Sequence, residues 1–244
     1  MNDVDFLRAL DDLAEVLESF YGKGVRDISG LKRAVSSLKK RLVDPKQREY
    51  PLNIHIARMS FDIQGNHKHT LPAGATDSIL TLSVKICFRD KFAVFSDIVE
   101  MSVDFELSSN DENGQPVKSA WHLDYHDVKG DEQFSHPQFH FQFGGKKLRE
   151  SIRENNRHFN TGELLLMESP RIMHPPMDPI LAVDFVFGNF LGDKCWKALR
   201  QKRPFINIHK ASKELFWKPY FEGISGYFSN PNVPSQANTL HPGL

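Results

Sequence analysis

Cysteine is scarce in this chain. Of 244 residues only Cys87 and Cys195 carry a thiol, one in a segment of alternating hydrophobicity and one in a helical segment. Two isolated cysteines make neither a disulfide framework nor a cysteine-based zinc site, and they suit a reducing compartment. Charge of one sign is also missing, because Lys+Arg and Asp+Glu both number 31. A chain with zero formal charge carries no bulk electrostatic footprint for nucleic acid or for an acidic membrane. No run of 18 apolar residues occurs, so no membrane span is expected. The start, "MNDVDFLRALDDLAEV", is acidic and amphipathic, without the basic stretch and apolar run of a signal peptide. Cytoplasmic residence is the resulting expectation. There is no serine elbow, Walker loop, dinucleotide fingerprint, Cys-His dyad spacing or standard nucleic-acid module, and no internal repeat.

Phenylalanine, by contrast, is plentiful. Nineteen of them point to a core built around aromatic rings. A chain of this length removes roughly 70–75% of its unfolded surface from water, enough for a substantial core. Phe6, Leu10, Leu13, Leu17 and Phe20 recur at spacings of three and four, which predicts a helix over 3–21 with Asp3 as its N-cap and Gly24 as its stop. Leu31, Val35, Leu38 and Leu42 predict a second helix over 29–42. Residues 1–45 therefore read as a helical hairpin, ahead of a core domain over 46–230 and an irregular Pro- and Asn-rich tail over 231–244.

After the hairpin the period changes from 3.6 to 2. Alternation marks strands over 52–63, 78–88, 97–109, 117–127 and 139–143, joined by turn-rich links such as "NDENGQP". "ELLLME" (163–168) is a further strand candidate and "KKLRESIRENNR" a polar helix. The strongest helix signal follows Asp178, a good N-cap, and Pro179, an ideal first helical residue. From Ile180 to Leu191 this helix is apolar on nearly every side, which predicts central burial. Asp184 within it needs a partner, with Arg58 or Arg171 as candidates. A last helix is expected to break at Pro219. The fold class is α+β: an antiparallel β-meander of five to six strands whose apolar face is covered by N- and C-terminal helices.

The polar face carries the chemistry. An even spread of eleven histidines would place about one in the 19 residues from His122 to His140, which hold four. With Trp121, Leu123 and Tyr125 turned to the core, His122, Asp124 and His126 turn the other way. With Phe139, Phe141 and Phe143 inward, His140 and Gln142 share that outer face, and Glu100, Asp104 and Glu106 can add acids to it. A hairpin centred near Gly130 and Asp131 sets His122 beside His140 and His126 beside His136. Imidazole and carboxylate donors in this pattern suit a divalent metal held by His122, Asp124, His126 and His140. The same residues can serve metal-free acid–base chemistry, with His122, Asp124 and His140 as the catalytic set. "FHFQFGGKKL" adds a strand, a glycine turn and a helix start, where Gly144, Gly145 and Lys146 could hold a phosphate. Ordinary alternatives stand beside each: a hydrogen-bonded polar sheet face, a plain glycine turn, and a capped helix mouth at His174 and Asp178.

"HLDY" and "HFQF" resemble the paired His-containing strand motifs of two-histidine phosphoesterases. Asp124 and Gln142 stand where that family has Thr or Ser, and its motifs lie much farther apart. "HPQFHFQFGG" with "HPPMDPILAVDFVFGNF" resembles a group of bacterial proteins of unassigned function over residues 117–195. That resemblance implies a bacterial, cytoplasmic origin and no activity. Two function classes follow. The first is a phosphoester hydrolase acting on nucleic acid or a nucleotide through the His/Asp cluster, with a divalent metal as cofactor and a phosphate-containing ligand. The second is a non-catalytic subunit of a multi-protein bacterial system such as phage defence or toxin–antitoxin, with a protein partner or a second copy bound and no membrane involved.

Overall fold

The computed structural model describes residues 3–43, 52–63, 75–89, 94–125, 137–144 and 171–229. The fold is α+β. Among these residues, seven strands form one antiparallel sheet in simple sequence order: β1 (Val25–Asp27), β2 (Leu52–Ile63), β3 (Thr76–Phe88), β4 (Ile98–Asn110), β5 (Pro116–Tyr125), β6 (Phe139–Phe143) and β7 (Ile172–Met173). The five strands read from alternation are present with ends shifted by a residue or two. β1 and β7 are additional. At three and two residues they are too short to show a period, and their neighbours in the sheet define them.

The helices are α1 (Asp3–Glu18), α2 (Ser29–Val43), α3 (Pro179–Asn189), α4 (Asp193–Gln201), α5 (Arg203–Ser212) and α6 (Lys218–Ser229). α1 is described from Asp3 onward. The link between α1 and α2 is not a plain loop, because Val25 and Asp27 pair with β2 and the Asp62 amide donates to the Gly24 carbonyl at 2.9 Å. The hairpin thus shares one core with the sheet. No break occurs at Pro219. Instead a π-helical turn, Lys213–Trp217, leads directly into α6. Proline has no N–H and its ring crowds the carbonyl four residues back, and a wider turn relieves that crowding.

β2 shows how the sequence keeps one face apolar. Ile54 and Ile56 are in phase with each other but out of phase with Met59, Phe61 and Ile63, and all five are buried. The pairing with β3 slips between Ile56 and Met59, a bulge at Ala57 and Arg58 that restores the inward set. Helix α2 rests on that bulge so closely that a Cβ on Gly30 would overlap the Arg58 carbonyl oxygen.

Helix α3 lies across the inner face, which is why it is apolar nearly all round. Phe187 meets Phe20 and Phe61 edge-on at 5.2 and 6.2 Å between ring centroids. Two residues earlier, Phe185 packs against Phe105 of β4 at 5.1 Å and Phe141 of β6 at 5.5 Å. Its start is fixed by Asp178, whose Oδ1 accepts from the Leu181 amide at 2.9 Å, with Pro179 next. The segments around "ELLLME" and "KKLRESIRENNR", together with the 230–244 tail, lie outside the described residues.

Candidate metal centre

The sheet register arranges the outer face in rows. Asp104 of β4, His122 of β5 and Gln142 of β6 are successive partners, and one step along the strands Ser102, Asp124 and His140 form the next row. Alternation placed both histidines on the correct face. The hairpin, however, runs two residues out of the expected register: His140 lies opposite Asp124, and His122 lies opposite Gln142. A shift of two preserves the face of every side chain, so the histidines still meet, now on the diagonal.

They meet closely. The two imidazole rings stand 6.3 Å apart between centroids and nearly perpendicular, at 84°. His122 Nε2 lies 3.5 Å from Asp124 Oδ2. One donor atom from each of His122, Asp124 and His140 falls within 4.8 Å of the others. Around a tetrahedral ion with bonds near 2.1 Å, donors sit about 3.4 Å apart, so small side-chain rotations bring these three to ligand spacing. His140 and Gln142 are buried at 3% and 4% exposure, whereas the Asp124 side chain is 39% exposed. Two sunken nitrogens and one open carboxylate fit an ion with protein on one side and free positions on the other.

The acids nearby take different roles. Asp104 lies directly opposite His122 in the ladder and its Oδ2 accepts from Ser102 Oγ at 3.4 Å. Glu106 is opposite Ala120. Glu100 pairs with Lys85 at 2.6 Å. A carboxylate beside a ligating histidine fixes its ring orientation and raises its basicity.

Of the residues proposed for phosphate, Gly144 ends β6 with a φ of 78°. Its amide donates to the Ala120 carbonyl at 2.7 Å, so that N–H continues the ladder rather than facing a ligand. Gly145, Lys146 and the fourth proposed metal ligand, His126, lie outside the described residues.

The other two features are structural. His174 turns Nδ1 to the Pro175 carbonyl at 2.6 Å and packs its ring on Phe141 and Phe185. Burial lowers its pKa below the usual histidine value. Asp184 pairs with neither Arg58 nor Arg171. Arg200 grips it through two bonds, Nε to Oδ1 at 2.6 Å and Nη2 to Oδ2 at 2.5 Å. Trp196 Nε1 donates to Oδ1 at 3.2 Å, and His209 Nε2 stands 3.4 Å from Oδ2. Burial alone would raise the Asp184 pKa, but the nearby His209 and the Arg200 fork outweigh it and hold the carboxyl at about 2. Sequence reading missed this network because Arg200 and His209 come from the next two helices, and no local spacing announces them.

No family model matches the chain, and no curated protein or solved structure matches it either.

Proposed function

We propose that the protein binds one divalent cation through His122, Asp124 and His140 and uses it to hydrolyse a phosphoester. The observation that carries this reading is the convergence of the three donors within 4.8 Å, with the histidines sunk and the carboxylate open. A cation held by two imidazoles and a carboxylate keeps open positions and lowers the pKa of a bound water toward 7. The resulting hydroxide would attack phosphorus, the P–O bond to the alcohol would break, and the departing oxygen would take a proton from solvent or a neighbouring acid. Asp104 would orient His122. Gly145 and Lys146, which follow β6 in sequence, would assist phosphate binding.

The test is metal content together with cleavage of bis(p-nitrophenyl) phosphate by wild type and by His122→Ala/His140→Ala. Stoichiometric metal and turnover, both lost in the double variant, support the reading. Metal without turnover keeps the centre and removes the hydrolase. Failure to bind zinc, manganese, iron(II) or nickel removes both.

One observation favours a second reading, a non-catalytic interaction subunit. Phe221 and Phe228, seven residues apart on α6, are 50% and 70% exposed, unusual for rings of that size. Sedimentation analysis distinguishes a self-associating subunit from a monomer.

A further inference from the structure

The helical layer holds a groove with acids on one wall and cations on the other. It lies between α1 and the start of α5 and has a volume of about 540 Å³. Small-molecule sites usually measure about 300–1,000 Å³. One wall is α1, through Asp12, Glu15 and Val16; the other is Lys202 together with Arg203 and Asn207 of α5. Val16 is buried and gives the groove an apolar patch between its two charged sides.

The acids of α1 outside this groove are matched. Asp5 pairs with Arg8, Asp11 with Lys39 and Glu18 with Lys32. Asp12 and Glu15, which line it, have no ion pair or hydrogen bond among the described residues. The opposite wall is equally uncommitted. Arg203 and the Asn207 amide have no partner among the described residues, and Lys202 Nζ meets only the Phe20 ring, 5.9 Å from its centroid. The two walls also do not pair with each other, so the groove keeps opposite charges apart. Two carboxylates face two cations, and this decides what fits between them. A simple anion or cation gains at one wall and is repelled at the other, whereas a molecule charged at both ends gains at both.

We propose that this groove binds a small zwitterion, an amino-acid-like molecule whose ammonium end lies against Asp12 and Glu15 and whose carboxylate end lies against Lys202 and Arg203. Asp12 and Glu15 are three residues apart on α1 and so neighbour each other on its surface, where an ammonium with three protons can serve both. The planar fork of Arg203 matches both oxygens of a carboxylate, and Lys202 adds a second cation. The Asn207 amide can donate to the carboxylate end. His122, Asp124 and His140 lie on the outer face of the sheet, so this site stands or falls separately from the metal centre.

The experiment is calorimetric titration of the full chain with glycine, 4-aminobutyrate and 6-aminohexanoate, a series in which the two charges move apart. Acetate and ethylammonium serve as the separate ends. One or more of the amino acids should bind once per chain with a Kd of about 1 mM or below, and each separate end should bind at least about tenfold more weakly. Glu15→Gln and Arg203→Gln, one on each wall, should each weaken that binding about 10–100-fold, as loss of a hydrogen bond to a charged group does. Both side chains are exposed and unpaired among the described residues, so both variants should keep the wild-type melting temperature. Three results would each overturn the zwitterion site. One is acetate or ethylammonium binding as tightly as the best amino acid. Another is an affinity that neither variant moves. The last is no binding of any of the three amino acids at concentrations about tenfold above that Kd.

Discussion

Replacing Asp184 by Asn tests the electrostatic account of the helical layer. The substitution keeps the shape of the side chain and an acceptor for Trp196, but it removes the charge that Arg200 and His209 face. The carboxyl is held at about 2 against an ordinary value of 3.8. Nearly two pKa units correspond to ~2.5 kcal/mol of preference for the charged form in the folded state. The Arg200 side chain is 36% exposed, so solvent screens part of this, and about 1.5–2 kcal/mol is the figure expected at pH 7. Because the folded pKa is depressed, this stability is present above 3.8 and disappears as pH falls toward 2. Urea unfolding followed by tryptophan fluorescence, run at pH 7 and at pH 2.5, measures both limits. Asp184→Asn should cost about 2 kcal/mol at pH 7 and well under 1 kcal/mol at pH 2.5. An equal cost at the two pH values would refute the reasoning, since the penalty would then come from packing rather than from the ion pair.

Other expectations follow from packing. Gly30→Ala should destabilise by ~2–3 kcal/mol despite the better helix propensity of alanine, because α2 must lift from the Arg58 carbonyl; a neutral or stabilising result in urea unfolding would mean that the bulge yields. Phe187→Ala should cost ~3–5 kcal/mol, as it empties the contact between Phe20 and Phe61. A loss below 1 kcal/mol would show that the core collapses around the gap. Asp104→Asn should weaken metal binding ~10–100-fold without abolishing it, as loss of an orienting carboxylate does. An unchanged affinity by competitive chelation would remove Asp104 from that role.

The parts of the fold visible in the sequence are those where a period is long enough to read. β3 and β4 alternate over a dozen residues, and Leu80, Leu82, Val84, Phe88, Val103 and Phe105, all read as inward, are buried, whereas a register shift beside Phe88 turns Ile98 inward in place of Val99. α3 was visible from its cap, its first-turn proline and its apolar run. β1 and β7 were not, since short edge strands are defined by what they pair with. The candidate site was legible to the level of a face but not of a register. Alternation puts His122, Asp124 and His140 on one side, but the connection between the strands sets the pairing, and nothing local separates His122 opposite His140 from His122 opposite Gln142. The partners of Asp184 depend on how α4 and α5 pack, a tertiary fact with no trace in the spacing. The π turn before Pro219 belongs to the same class: proline announces a disturbance, and packing decides whether the helix breaks or widens.

The most direct test of the central claim is equilibrium metal binding to the purified, untagged chain, measured by plasma mass spectrometry after dialysis against each candidate ion. The account predicts one ion per wild-type chain and none in a His122→Ala/His140→Ala double variant that remains folded. A folded wild-type chain that retains no ion, or a double variant that retains it fully, would contradict the assignment of His122, Asp124 and His140 as a metal centre.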